Sequence, residues 1–214
     1  MFRNRDDAAQ QLAKLLAPWR GRHAVVYAIP RGGVRMGALL AEQLDAELDI
    51  VLTHKLGAPG NPEFAIGAVA ESGWSHVQYR GPGIDDDYIR RETAFQLERL
   101  RERRQRFGSA SMSAAARIAI VVDDGLATGS TMIAALQTLR AQRPQRLICA
   151  VPVAAPGSLH RVRPLADEVV CLLAPADFHA VGEHYQSFEQ VEDDEVIAAL
   201  RRARGPATPD SPSG

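Results

Sequence analysis

The pattern that most limits the fold is a repeated alternation of short apolar runs with stretches of helical periodicity. HAVVYAIP (23–30), ELDIVLTHK (47–55), RIAIVVDD (117–124), RLICAVPV (146–153) and DEVVCLLA (167–174) are continuous and rich in β-branched residues, as strands buried on both faces are. Most are separated by helical stretches of about ten to fifteen residues, the arrangement of βαβ units. The expected fold class is therefore α/β, a doubly wound parallel sheet.

The helical stretches are readable individually. Residues 6–17 place Ala9, Leu12, Ala13 and Leu16 at helical spacing between an acidic start and Pro18. Residues 34–44 do the same with Met36, Leu39, Leu40 and Leu44, and Asp85 to Phe107 predicts a long charged helix presenting Tyr88, Ile89, Leu97 and Leu100. Ser130–Gln142, 156–163 and 193–203 predict the rest. LGAPGNPE (56–63), with two Gly and two Pro in eight positions, is expected to be a mobile loop, and residues 64–79 a hairpin turning at Ser72 and Gly73. No repeat is visible at a period of 20–50 residues.

At 214 residues the chain suits one domain with a sizeable core. A formal net charge of -1 gives no general attraction for nucleic acid or anionic membrane, so any phosphate must be held by a local site. No apolar run reaches the length of a membrane span and the start MFRNRDDAAQQLAKLL is polar, which makes a cytoplasmic location the expectation. Cys149 and Cys171 lie inside apolar runs and are expected as reduced, inert thiols in buried strands.

The chemistry is concentrated in VVDDGLATGST (121–131), where an apolar strand ends in two carboxylates, passes through a Gly-bracketed loop and opens a helix at Ser130. A helix N-terminus offers free N–H groups and a positive dipole, so a phosphate belongs on Ala127, Thr128, Gly129, Ser130 and Thr131. Asp123 and Asp124 would repel that phosphate and suit vicinal hydroxyls, as of a ribose, held directly or through a metal. The loop thus reads as a ribose 5-phosphate site. A Walker loop would need a Lys before Ser130, and the dinucleotide pattern G-x-G-x-x-G is absent from PRGGVRMG (30–37).

VVDDGLATGST followed by Met132 resembles the phosphoribosyl pyrophosphate (PRPP) motif of type I phosphoribosyltransferases, especially the adenine-type members. The resemblance implies that Asp123 and Asp124 hold the ribose hydroxyls and 127–131 the 5-phosphate. IPRGG (29–33) resembles the family's pyrophosphate loop, in which the backbone at Arg31, Gly32 and Gly33 would bind the leaving group; taken alone, the glycine pair also fits a tight turn. HKLGAPGNPEF (54–64) lies where the family has a flexible catalytic loop, and Lys55 is either a pyrophosphate contact or a solvated surface residue. Glu71 is either support for the site or a hairpin acid.

The likeness spans about 24–174, which implies a single domain over 1–204: a core of 24–174, an acceptor-binding hood of about 175–204 with the N-terminal helix, and a disordered tail over 205–214. In PADFHAVGEHY (175–185), Phe178 and Val181 resemble the acceptor-binding positions of purine-type hoods; Phe178, Tyr185 and Phe188 either stack on a base or pack the core. Hypoxanthine- and guanine-type members carry an Asp at the position of Ala127, so 6-oxopurine salvage is not implied. The resemblance also implies Mg²⁺ as cofactor, reached by Asp123 and Asp124 through ribose or water, a small-molecule acceptor such as a nucleobase, and a homodimer. A rival reading is a non-catalytic PRPP sensor that binds RNA or protein through RLRERRQR (99–106), although Glu98 and Glu102 break that basic strip and it fits a solvated helix face better.

Overall fold

In a computed structural model, residues 1–108 and 111–204 are described. The elements are, in chain order, α1 (Arg5–Leu16), β1 (Ala24–Ala28), α2 (Gly32–Leu44), β2 (Glu47–Ile50), β3 (Thr53–Ala58), β4 (Asn61–Ala70), β5 (Ser75–Val77) and α3 (Asp86–Phe107). They continue with β6 (Ile118–Val122), α4 (Ser130–Ala141), β7 (Arg146–Val153), α5 (Pro156–Val162), β8 (Glu168–Leu173) and α6 (Asp193–Arg204). The tail expected over 205–214 lies outside the described residues.

Strands pair in parallel in the order β2-β1-β6-β7-β8. Successive side chains of a strand face opposite sides, and both sides are buried here. Ala24, Val26 and Ala28 of β1, with Ile118, Ile120 and Val122 of β6, join the core under α1, α2 and α6. Val25 and Tyr27, with Ala119 and Val121, join Met132, Leu136, Leu159 and Val162 of α4 and α5 on the other face. This is the expected doubly wound parallel sheet. No helix among the described residues is long and apolar enough to cross a membrane.

Local chemistry sets the helix ends. The Asn4 side chain accepts from the Asp7 amide at 3.0 Å at the start of α1, and Asp85 accepts from the Tyr88 amide at 2.7 Å at the start of α3. Both cysteines are free; Cys149 is buried, whereas Cys171 on the edge strand β8 is only half-buried.

Two expectations need correction. ELDIVLTHK is not one strand: β2 ends at Ile50, Val51 and Leu52 are buried without strand geometry, and Thr53 opens β3 in a second, antiparallel sheet ordered β3-β4-β5. LGAPGNPE is not an unstructured loop either. Leu56 to Ala58 complete β3, the chain turns at Pro59 and Gly60 (φ 70°), and β4 begins at Asn61. The hairpin at Ser72–Gly73 is present, joining β4 to β5.

Helix α3 buries only Gln96, Leu100 and Phe107, yet it is fastened by charge. Arg104 donates to Asp49 at 2.8 Å, to the Ile50 carbonyl at 2.7 Å, and with two nitrogens to the Glu71 carboxylate. Asp49 is fully buried and also accepts from the amides of Ile50 and Met112. RLRERRQR is therefore not a uniformly solvated strip.

Candidate functional site

Taking only the strands of the parallel sheet in chain order, the spatial order is 2-1-3-4-5, and the order reverses between β1 and β6. Crevices at such a reversal, at the carboxyl ends of the strands, are where open α/β sheets bind ligands. Ala28 and Val122 are register partners at those ends, so the segments 29–33 and 123–129 leave the sheet side by side.

They touch. The Ile29 amide donates to the Val122 carbonyl at 2.9 Å, and a Cβ on Gly33 would sit 2.7 Å from that carbonyl oxygen. A Cβ on Gly32 would fall on the Asp124 carboxylate. The glycine pair therefore does more than turn the chain: it lets the first loop lie against the acid pair. The Asp124 amide donates to Asp123 Oδ1 at 2.9 Å. Burial pushes both carboxyl groups above their ordinary range; the Asp124 charge adds to the rise at Asp123, while Arg5 opposes it at Asp124.

The loop before α4 has its carbonyls occupied from behind. Leu126 O accepts from the Ala155 amide (2.9 Å), Ala127 O from Ser158 Oγ (2.6 Å), Thr128 O from Arg161 (2.8 Å) and Gly129 O from the Ile133 amide (2.9 Å). With those carbonyls engaged, the loop of Ala127, Thr128, Gly129, Ser130 and Thr131 presents amides and the hydroxyls of Thr128 and Ser130, which lie 3.3 Å apart, while the Ser130 amide donates to Thr128 Oγ1 at 3.5 Å. Gly129 holds φ 71° at the start of α4, and its Cα faces Ser158 closely enough that a Cβ would stand 3.3 Å from that side chain. Amides at the N-terminus of a helix are groups of the kind that suit an anion.

The segment after β8 closes over the acid pair. Val181 packs against Gly125, where a Cβ would stand 2.7 Å from its methyl carbon, and Tyr185 donates its hydroxyl to the Asp124 carbonyl at 2.7 Å. Phe178 stacks on His184 with ring centroids 5.5 Å apart. Tyr185 and Phe188, considered above as base-stacking candidates, face each other at 5.0 Å, and Phe188 lies under the Arg5 guanidinium at 3.9 Å.

Arg5 escaped the sequence reading. It is 8% exposed, donates to Asp124 Oδ2 from Nε at 3.0 Å and from Nη2 at 2.8 Å, and donates to the Glu189 carbonyl at 2.6 Å. One signal pointed to it: a cation at the first position of a helix opposes the helix dipole, so its presence there asks for another reason. Ser158 and Arg161 carried no comparable signal, because their role depends on where α5 packs. Lys55 is half-buried on β3, opposite Ala68 in the second sheet. Glu71 is committed to Arg104. Arg31 reaches to 3.8 Å from Asp193.

Among the described residues there is no group of three or more His, Cys, Asp or Glu side chains placed to hold a metal ion. The donor set fits Mg²⁺ in another way, since that ion keeps several waters and binds through one or two carboxylates together with substrate phosphates. Asp123 and Asp124 are the carboxylates at hand.

Compared with known proteins, residues 3–187 match the family model described as a phosphoribosyl transferase domain. Proteins from two Mycobacterium tuberculosis strains, CDC 1551 and H37Rv, provisionally described as phosphoribosyl transferases, are each 42% identical over 209 residues, which is 95% of this chain and 47% of theirs. The chain thus spans about half the length of the curated relatives it matches. The crystal structure of the protein TT1426 from Thermus thermophilus is 43% identical with a TM-score of 0.82, covering 93% of this chain and 97% of that one.

Proposed function

Because the chain belongs to the phosphoribosyl transferase domain family, we propose that it moves the 5-phosphoribosyl group of PRPP to a nitrogenous acceptor, a nucleobase, with release of pyrophosphate. The observation that carries the reading is the contact of Gly32 with the Asp124 carboxylate, which sets two loops suited to anions on either side of one acid pair. Two such loops around one acid pair would suit a sugar with a phosphate at one end and a diphosphate at the other.

In this reading the amides and hydroxyls of Ala127 to Thr131 hold the 5-phosphate, and Asp123 and Asp124 accept hydrogen bonds from the ribose hydroxyls. As the diphosphate departs, positive charge grows on the ribose ring, and the role of the two carboxylates is to stabilise it. The backbone of Gly32 and Gly33, with Arg31, receives the departing charge, and Lys55 adds a cation from the β3–β4 hairpin when that hairpin folds over the substrate. Closure there excludes water as a competing acceptor. Asp123 and Asp124 would reach Mg²⁺ through ribose or water, and the ion would supply neutralisation of leaving-group charge when bound. Phe178 and Val181 line the side from which the base approaches. No protein nucleophile is required.

The test is pyrophosphate release from PRPP with Mg²⁺ across a panel of purine and pyrimidine bases, with a no-base blank and Asp124→Asn as control. Release that depends on one base and is lost in the variant supports the transferase and names the acceptor. Release in the blank would mean that water is the acceptor, and silence with every base despite PRPP binding would leave a sensor of PRPP. Of the basic run at 99–106 on which the sensor reading rests, Arg104 is turned inward to Asp49 and Glu71.

A further inference from the structure

Three guanidinium groups converge on a single carboxylate beside the glycine-pair loop. Arg31, from the segment after β1, lies 3.8 Å from Asp193 Oδ1; Arg103, from α3, lies 3.9 Å from the same oxygen; Arg106, also from α3, lies 3.6 Å from Asp193 Oδ2. Within 4 Å there are thus three positive charges and one negative charge. None of the three contacts is a formed hydrogen bond, and Asp193 Oδ1 is buried without a hydrogen-bond partner. Asp193 opens α6, which packs on both α2 and α3, so it comes from outside both elements that carry the arginines.

Such an arrangement is electrostatically unsatisfied. Arg103 is drawn below the usual guanidinium range, first by burial and then by repulsion from Arg31 and Arg106, with only Asp193 opposing. A second anion would relieve that repulsion, and the long distances leave the planar guanidinium forks free to take phosphoryl oxygens in pairs. The place is right for it. Arg31 immediately precedes Gly32, whose backbone touches the Asp124 carboxylate.

We propose that Arg103 and Arg106 of α3 join Arg31 in a diphosphate-binding site, in which Asp193 serves as an internal counter-anion that the incoming diphosphate displaces. The site deepens the transferase reading and rests on it for the placement of the diphosphate. It also gives a function to part of the basic run at 99–106.

The experiment is titration of the full-length protein with inorganic pyrophosphate, without Mg²⁺ or base, followed by calorimetry and by the rise in unfolding temperature. Arg103→Gln and Arg106→Gln are each expected to weaken binding about ten-fold, and inorganic phosphate to bind about ten-fold more weakly than pyrophosphate because it spans fewer of the arginines. Asp193→Asn is expected to tighten binding several-fold, an effect that general damage to the fold would not produce. Asp193→Ser, which keeps a small polar side chain at the start of α6, should tighten it too. Wild-type affinity in both arginine variants, weaker binding in both Asp193 variants, or equal affinity for phosphate and pyrophosphate would overturn the proposal. The transferase reading fails separately: pyrophosphate binding with this pattern but no base-dependent release from PRPP would remove the reaction and leave the site.

Discussion

Gly32 has no room for a side chain, because the space a Cβ would take is occupied by the Asp124 carboxylate. Gly32→Ala must therefore move the acid, the loop or both. Misplacing a positioned group by about 1 Å can cost on the order of 100-fold in rate, and that loss is expected in kcat/KM for PRPP-dependent pyrophosphate release; a wild-type rate would refute the contact. Asp123 makes a different prediction. Its carboxyl is raised by burial and by the Asp124 charge, so the folded state holds a proton that the unfolded chain has released. Stability is then lost as pH rises from the unfolded carboxylate value, about 3.9, toward the higher folded one. Asp123→Asn should therefore raise the unfolding temperature at neutral pH in metal-free buffer, with the gain shrinking toward pH 4 in a thermal series. A gain independent of pH would count against the buried charge as its cause. The acid pair and the loop that opens α4 were legible in sequence because their spacing is local. Arg5 was not, since 119 residues separate it from Asp124.

At the level of elements, the strand pattern identified the parallel sheet and then ran past its end. Val51 and Leu52 are as buried as the residues of β2, so an unbroken apolar run continues where the chain is passing from one sheet to the other. Glycine and proline in LGAPGNPE marked a turn correctly but concealed the strands on both sides of it. In α3 a run of like charges divides by direction: Arg104 points into the protein while Arg103 and Arg106 face Asp193. Arg104→Ala would leave Asp49 and Glu71 without their counter-ion. A destabilisation of about 3–5 kcal/mol is expected in denaturant unfolding, and a loss below 1 kcal/mol would show that the network does not fasten α3. Helix α5 makes a subtler contribution, since Ser158 and Arg161 hold the carbonyls of Ala127 and Thr128. Arg161→Ala should raise KM for PRPP about ten-fold, in line with a charge-assisted hydrogen bond, while kcat and the unfolding temperature change little; a fall in kcat at constant KM would place its role elsewhere.

For the molecule as a whole, the second sheet carries the main question of assembly. Phe64 on β4 and Tyr79, two residues past β5, are exposed and meet edge to face at 5.2 Å, an apolar contact suited to a partner's surface. If the proposed homodimer forms through this hairpin, Phe64→Glu should shift the mass in light scattering from two chains to one, and an unchanged mass would exclude this face. The other organising feature is the joining of distant parts of the chain around Asp124. The backbone at Phe2 and Arg3 bonds with His184, Gln186 and Ser187, and Arg5 lies between Asp124, Phe188 and the Glu189 carbonyl. The consequence falls on synthesis at the ribosome. The parallel sheet has all its strands by residue 173, yet the aromatic seat and carbonyl that hold Arg5 have not been translated at that point. A nascent chain can therefore have every strand of its scaffold made and still lack what fixes Arg5 against Asp124 until the segment between β8 and α6 follows.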